Sequence, residues 1–179
     1  EVRPTVMCSV PRFWEKVYTG VQEKIANETG VVKAMMLDAI KVGKEHNLDY
    51  LRLGKKPPLM LHLKYKFYER TIYALLKKTI GIDRGNFFPT AGAAVPDEIC
   101  EFVHAVGINM MVGYGLTESC ATVSCFGEDR FELGSVGEVL PGVEVKIGEE
   151  NEILLRGKTI TRGYYRKQEA TAAAIDAEG

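Results

Sequence analysis

The sequence predicts an α/β protein: part of a parallel sheet with helices on it, followed by the start of a small antiparallel β subdomain. Three observations carry that prediction. A strand, helix, strand pattern runs through residues 87–112, and a long stretch of helical periodicity precedes it. After Gly134 the apolar period shortens to two, the spacing of strands with one buried face.

The elements follow in order. Residues 5–10 read as a short buried strand stopped by Pro11, whose fixed φ and missing N–H suit the first turn of a helix. Trp14, Val17, Tyr18, Val21 and Ile25 then recur at three- and four-residue intervals and share one helical face. Val32, Met35, Met36, Ala39 and Ile40 repeat the pattern, and Gly43 is read as the end of that helix. After Pro57 and Pro58 a third helix is expected, with Tyr65, Tyr68, Ile72, Leu75 and Leu76 on a common side and Gly81 at its end.

A strand at 87–90 leads into a Gly/Ala turn and then a helix opened by Pro96, Asp97 and Glu98, whose acidic first turn complements the helix dipole. Ile99, Phe102, Val103 and Val106 form its apolar face, Gly107 caps it, and residues 108–112 read as a second buried strand. Crossovers of this kind make parallel sheets, whose ligands bind beyond the carboxyl ends of the strands. Both "TAGAA" and "GYGLTES" lie at such ends. Later, Val143, Val145 and Ile147 alternate, "GEEN" supplies a turn, Ile153 and Leu155 begin a return strand, and a short alanine-rich helix follows.

Composition excludes several function classes. The 179 residues carry 23 basic and 24 acidic side chains, so overall charge supplies no field to steer nucleic acid or an anionic membrane. Cys8, Cys100, Cys120 and Cys125 form no CxxC pair and the histidines show no ligand spacing, so a structural zinc site is not expected. No signal peptide is recognised, and no apolar run approaches the ~20 residues of a spanning helix. Reduced cysteines in a cytoplasmic protein are the default expectation.

The loop at residues 113–119 holds the most suggestive chemistry. Its glycines permit close backbone approach, Tyr114 can stack on a base, the Thr117 hydroxyl can bond a phosphate oxygen, and the Glu118 carboxylate can hold Mg²⁺. The same residue types also suit a solvated turn in which Thr117 caps the next helix. The "RGKT" run ending at Thr159 is not a Walker A loop, because the required glycine would fall at 152, where Glu152 stands.

"GYGLTES" resembles the YGxTE signature of the adenylate-forming superfamily, which includes acyl-CoA synthetases, adenylation domains and luciferases. "TAGAAVPDEICEFVHAVGI" resembles the segment lining that superfamily's adenine pocket. "GSVGEVLPGVEVKI" and "NEILLRGKTITRGYYRKQEATAAAI" resemble its next two segments, in the right order. The opening "PTVMCSVPRFWEKVY" with the long helical insertion after it is most similar to long-chain fatty acid:CoA ligases.

The resemblance implies the N-terminal domain of the adenylate-forming type, with residues 1–133 as an α/β portion carrying half of the ATP site and 134–179 as the start of a β subdomain. It implies ATP-binding roles for Gly92, Ala93, Ala94, Gly113, Tyr114, Gly115 and Thr117, catalytic roles for Thr117 and Glu118, and Mg²⁺ held by Glu118. Trp14 resembles a gating aromatic beside the acyl tunnel, although its helical periodicity is also that of a core residue. Cys120 and Cys125 follow the signature, but the family mechanism uses no enzyme cysteine.

The implied partners are ATP, a fatty acid and coenzyme A, with no nucleic acid. Peripheral membrane contact of the parent enzyme and its oligomeric state stay open. The superfamily's Pro-Lys-Gly phosphate loop, its Thr-Gly-Asp and its C-terminal lysine have no match here, so the chain is expected to be the central part of a larger ligase and inactive by itself. Two alternatives stand beside this: an acyl-adenylate ligase that delivers to a carrier protein, and a non-catalytic nucleotide- or lipid-binding module.

Overall fold

Pro11 opens helix α1, Pro11–Asn27, in the computed structural model, which describes residues 2–127 and 131–176. Trp14 and Ile25 are buried, and Val17, Tyr18 and Val21 pack half-buried beside them, as their spacing predicts. Helix α2, Gly30–Lys44, does not end at Gly43. It runs on through a π-helical turn, Glu45–Tyr50, and a 3-10 turn, Leu51–Leu53, to Gly54, which takes the left-handed conformation at φ 67°. Gly43 is instead a point of close approach: a Cβ there would stand 2.1 Å from the Ala105 carbonyl oxygen.

The third helical stretch is α3, Leu59–Tyr68, a π turn, Glu69–Tyr73, and α4, Ala74–Ile80, ending at left-handed Gly81 as expected. The π turn adds a residue to the repeat and rotates the later face. Tyr73 therefore points into the core, fully buried, with its hydroxyl donating to the Ala39 carbonyl at 2.6 Å. Leu75, expected on the buried side, is exposed.

Strands β1, Phe88–Thr90, and β2, Met110–Tyr114, pair in parallel with Phe88 opposite Met110 and Thr90 opposite Val112, joined by α5, Asp97–Ala105. Residues 5–10 lie parallel to β1 through bonds such as Ser9 N–H to the Pro89 carbonyl at 2.8 Å. They are not the buried strand expected: they form the sheet edge, and Val6, Cys8 and Val10 are exposed. Strand β2 starts two residues later than the apolar run suggests and carries Gly113 and Tyr114 in its last positions.

Strand β3, Ser124–Cys125, and β4, Glu138–Val139, extend the same sheet antiparallel, giving the order β1-β2-β3-β4. Strands β5, Val143–Ile147, and β6, Ile153–Gly157, form the separate antiparallel hairpin, followed by α6, Gln168–Ala174. No helix among the described residues is long and apolar enough to cross a membrane.

The core lies where α1, α2 and α5 meet β1 and β2, around Trp14, Ala39, Tyr73, Phe102, Val103 and Met110. His104 at its margin stacks on Phe131, ring centroids 3.6 Å apart. Burial pushes the His104 imidazole down to about 4, while a backbone hydrogen bond at Met110 acts in the opposite direction. Because the folded value lies below the ordinary 6.5, the unfolded chain takes up the proton first. Stability from this site is therefore complete above about pH 6.5, falls as the pH drops, and levels off near pH 4, a loss of at most ~3 kcal/mol. Urea unfolding across that range should show the slope, with His46, whose imidazole burial likewise lowers, acting in the same direction. His104→Gln should remove the His104 share, and an unchanged slope would reject the assignment.

Charge balances over the chain but not along it. Residues 31–80 carry eleven Lys and Arg against four Asp and Glu. The sequence-wide balance thus conceals a basic helical insertion beside an acidic remainder.

Candidate functional site

The parallel register of β1 and β2 sets the loops after Thr90 and Tyr114 side by side at the carboxyl edge of the sheet. Gly92 has φ 96°, and nothing lies within 4 Å of where a Cβ would stand, so its backbone faces open space. Ala93 and Ala94 beside it are exposed. Gly113 and Tyr114 belong to the strand rather than the loop, opposite Cys125 and Ser124, and the Tyr114 carbonyl accepts from Val123 N–H at 2.8 Å.

Gly115 answers to a different demand. A Cβ there would stand 1.4 Å from the Ala121 carbonyl oxygen, so the glycine lets the loop close on its own backbone. Thr117 opens a 3-10 turn, Thr117–Ser119, and is exposed. The fastening that a capping Thr117 would supply falls to buried Ser119, whose hydroxyl accepts from Leu116 N–H at 2.9 Å and donates to the Leu116 carbonyl at 3.0 Å. Cys120 and Ala121 follow at φ 53° and 84°, a pair of non-glycine residues in the left-handed region, where strain of ~1–3 kcal/mol each is expected.

Glu118 is tied at both ends. Its carboxylate accepts from the Tyr164 hydroxyl at 2.7 Å, and its main-chain carbonyl accepts from Thr161 N–H at 2.7 Å. The Tyr164 bond holds the Glu118 carboxyl below the usual carboxylate range, with a backbone hydrogen bond adding to it, and raises the phenol in turn. The group that faces the loop at neutral pH is therefore a carboxylate. Sequence reasoning missed Tyr164: periodicity gave no signal for it, and only its place in the "RGYY" run of a matching segment could have found it.

Among the described residues no three His, Cys, Asp or Glu side chains gather to hold a metal. One accessible carboxylate next to a hydroxyl still fits Mg²⁺ in the mode where substrate phosphates supply further ligands. His46 and His62, without ligand spacing in sequence, do meet, with Nε2 and Nδ1 3.0 Å apart beside Tyr65. Cys120 is exposed, whereas burial lifts the Cys100 thiol to about 11.

Trp14 is 0% exposed. Its indole N–H is shared between the Ser9 and Thr90 hydroxyls, each at 2.8 Å, and its ring packs edge-on against Phe13 and Phe88. Phe13 in turn lines an apolar cavity of about 720 Å³ between α1, α2 and α4, with Val17, Val21, Met36, Ile40 and Leu76 among its walls. None of the ATP-loop residues lines that cavity.

Residues 1–165 match the family model described as AMP-binding enzyme. The long-chain-fatty-acid–CoA ligase ACSBG1 of Bos taurus is 32% identical over all of this chain and 25% of its own length. The long-chain-fatty-acid–CoA ligase FadD15 of Mycobacterium bovis is 31% identical over 97% of this chain and 28% of its own length. The chain thus spans between about a quarter and a third of the length of the curated relatives it matches. A benzoate CoA ligase from Burkholderia xenovorans, at 18% identity, superposes on 97% of this chain and 27% of its own with a TM-score of 0.54. The α/β architecture is accordingly that of the N-terminal domain of adenylate-forming enzymes.

Proposed function

We propose, from the premise that this chain belongs to the AMP-binding enzyme family, that it carries half of the ATP site of a cytoplasmic long-chain fatty acid:CoA ligase. The observation that supports this most is the pair of adjacent loops: open backbone at Gly92 on one, and an exposed Thr117 and ionised Glu118 on the other. The names of the relatives supply the substrate class.

In this reading Gly92, Ala93 and Ala94 wall the adenine, Tyr114 stacks on it, Gly113 and Gly115 shape the loop, Thr117 bonds a phosphate oxygen, and Glu118 holds Mg²⁺. Bound there, Mg²⁺ would neutralise charge on the phosphate oxygens. The fatty carboxylate attacks the α-phosphorus and releases pyrophosphate, and the thiol of coenzyme A then displaces AMP from the acyl-adenylate. These side chains position and polarise; none is a nucleophile. Residues 1–133 supply the nucleotide contacts; within 134–179, Glu138–Val139 still pairs with the first sheet, and the second unit begins after it and brings Tyr164 to Glu118.

The test is to give full-length protein ATP with a long-chain fatty acid, adding coenzyme A or a pantetheine-bearing carrier protein separately. Acyl-CoA appearing with coenzyme A supports the reading. Product on the carrier alone would make it an acyl-adenylate ligase, and absence of pyrophosphate release with either acceptor would leave a non-catalytic binding module.

Trp14 is not itself a wall of the cavity, but it touches a neighbour of each compartment. It bonds Thr90, two residues before Gly92, and packs on Phe13, which lines the apolar cavity. That position supports a gate through which an acyl chain reaches the cavity. Trp14→Ala should raise KM for long fatty acids about tenfold more than KM for ATP, the scale of losing a buried apolar contact. Equal effects on both would leave Trp14 a core residue alone.

A further inference from the structure

We propose that residues 51–67 form a docking surface for an anionic lipid bilayer. This stretch, "LRLGKKPPLMLHLKYKF", carries Arg52, Lys55, Lys56, Lys64 and Lys66 and no Asp or Glu. It is the most one-sided part of the basic insertion, in a chain whose net charge is −1. The inference stands apart from the ligase reading, because it uses none of the nucleotide loops.

The fold turns this stretch outward. Left-handed Gly54 ends the preceding helix, and Pro57 and Pro58 stiffen the turn before α3. Leu51, Leu53, Lys55 and Lys56 are exposed along that tip. Helix α3 is apolar on both sides. Tyr65 and Tyr68 are buried against the core, while Met60, Leu63 and Phe67, spaced i, i+3 and i+7, form an outward stripe with Leu59. Met60 is 77% exposed and Leu59 71%, far from the burial their chemistry favours.

Charge complementarity selects the occupant. Lys64 pairs with Asp38 and Lys66 with Glu69, but among the described residues Lys55 and Lys56 have no ion-pair partner. A second copy of this face would bring like charges together. A nucleic acid would satisfy the cations yet leave Leu59, Met60, Leu63 and Phe67 in water. An anionic bilayer meets both needs: headgroups pair with the lysines, and the leucine and methionine side chains enter the acyl boundary.

Flotation of the full-length protein with vesicles tests this, comparing phosphatidylcholine alone with a mixture containing roughly one third phosphatidylglycerol. The protein should float with the anionic vesicles only, and less as salt is raised. The pair Lys55→Glu and Lys56→Glu should lower partitioning about 100-fold, and Met60→Asn with Leu63→Asn about tenfold. All four side chains are exposed, so folding and the release of pyrophosphate from dispersed substrate should be unchanged. Absence of binding to anionic vesicles, as when another part of the protein covers this face, overturns the proposal. So does equal binding by wild type and both variants, or a change in oligomer size in place of flotation.

Discussion

Glu118→Gln in the full-length protein is expected to lower fatty-acid-dependent pyrophosphate release by about a thousandfold while the fold survives. The substitution keeps size and leaves an oxygen to accept from the Tyr164 hydroxyl, so the tie between the loop and the later segment is retained. What it removes is the negative charge that would hold Mg²⁺ against the phosphates, and an amide cannot replace it. Tyr164→Phe provides the complementary measurement. It leaves the carboxylate but removes the hydrogen bond that lowers its proton affinity, so the acid limb of the pH-rate profile should move to higher pH. Pyrophosphate release near the wild-type rate in Glu118→Gln would reject the assignment, whatever Tyr164→Phe does. Excess Mg²⁺ should restore only part of the loss.

The parts of this molecule legible in sequence are those whose cause is local. Pro11, Gly81 and Gly107 mark helix limits through their own backbone preferences, and the β1, α5, β2 unit and the β5, β6 hairpin follow from apolar period. What stayed hidden depends on contacts between distant residues. Pairing with Ser124 and Cys125 draws Gly113 and Tyr114 into β2, and a two-residue strand such as β3 has no period to read. The π turn before α4 shifts the face by a residue, so Tyr73 goes inward where Leu75 was expected. Tyr164 reaches Glu118 across 46 residues of sequence. Charge misled for the opposite reason: summing over the chain cancelled a field that the helical insertion keeps to itself.

Gly43 shows the same limit in one residue and gives the sharpest test of the packing. Alanine in the interior of an exposed helix is favoured over glycine by ~1 kcal/mol, so Gly20→Ala in α1, with nothing within 4 Å of the new Cβ, should stabilise by about that amount. Propensity alone gives Gly43→Ala the same sign. There, however, the Cβ would stand 2.1 Å from the Ala105 carbonyl oxygen and 2.8 Å from the Tyr73 hydroxyl. Neither neighbour can yield cheaply. Ala105 lies in α5, and Tyr73 is fully buried with its hydroxyl bonded to the Ala39 carbonyl. Separating α2 from α5 should cost ~3 kcal/mol or more, as overpacking of a tight core does, and reverse the propensity gain. Equilibrium urea unfolding of the two variants should therefore move the midpoint in opposite directions. Stabilisation by both would mean that α2 and α5 do not meet closely at Gly43, and that helix propensity decides the effect there as it does at Gly20.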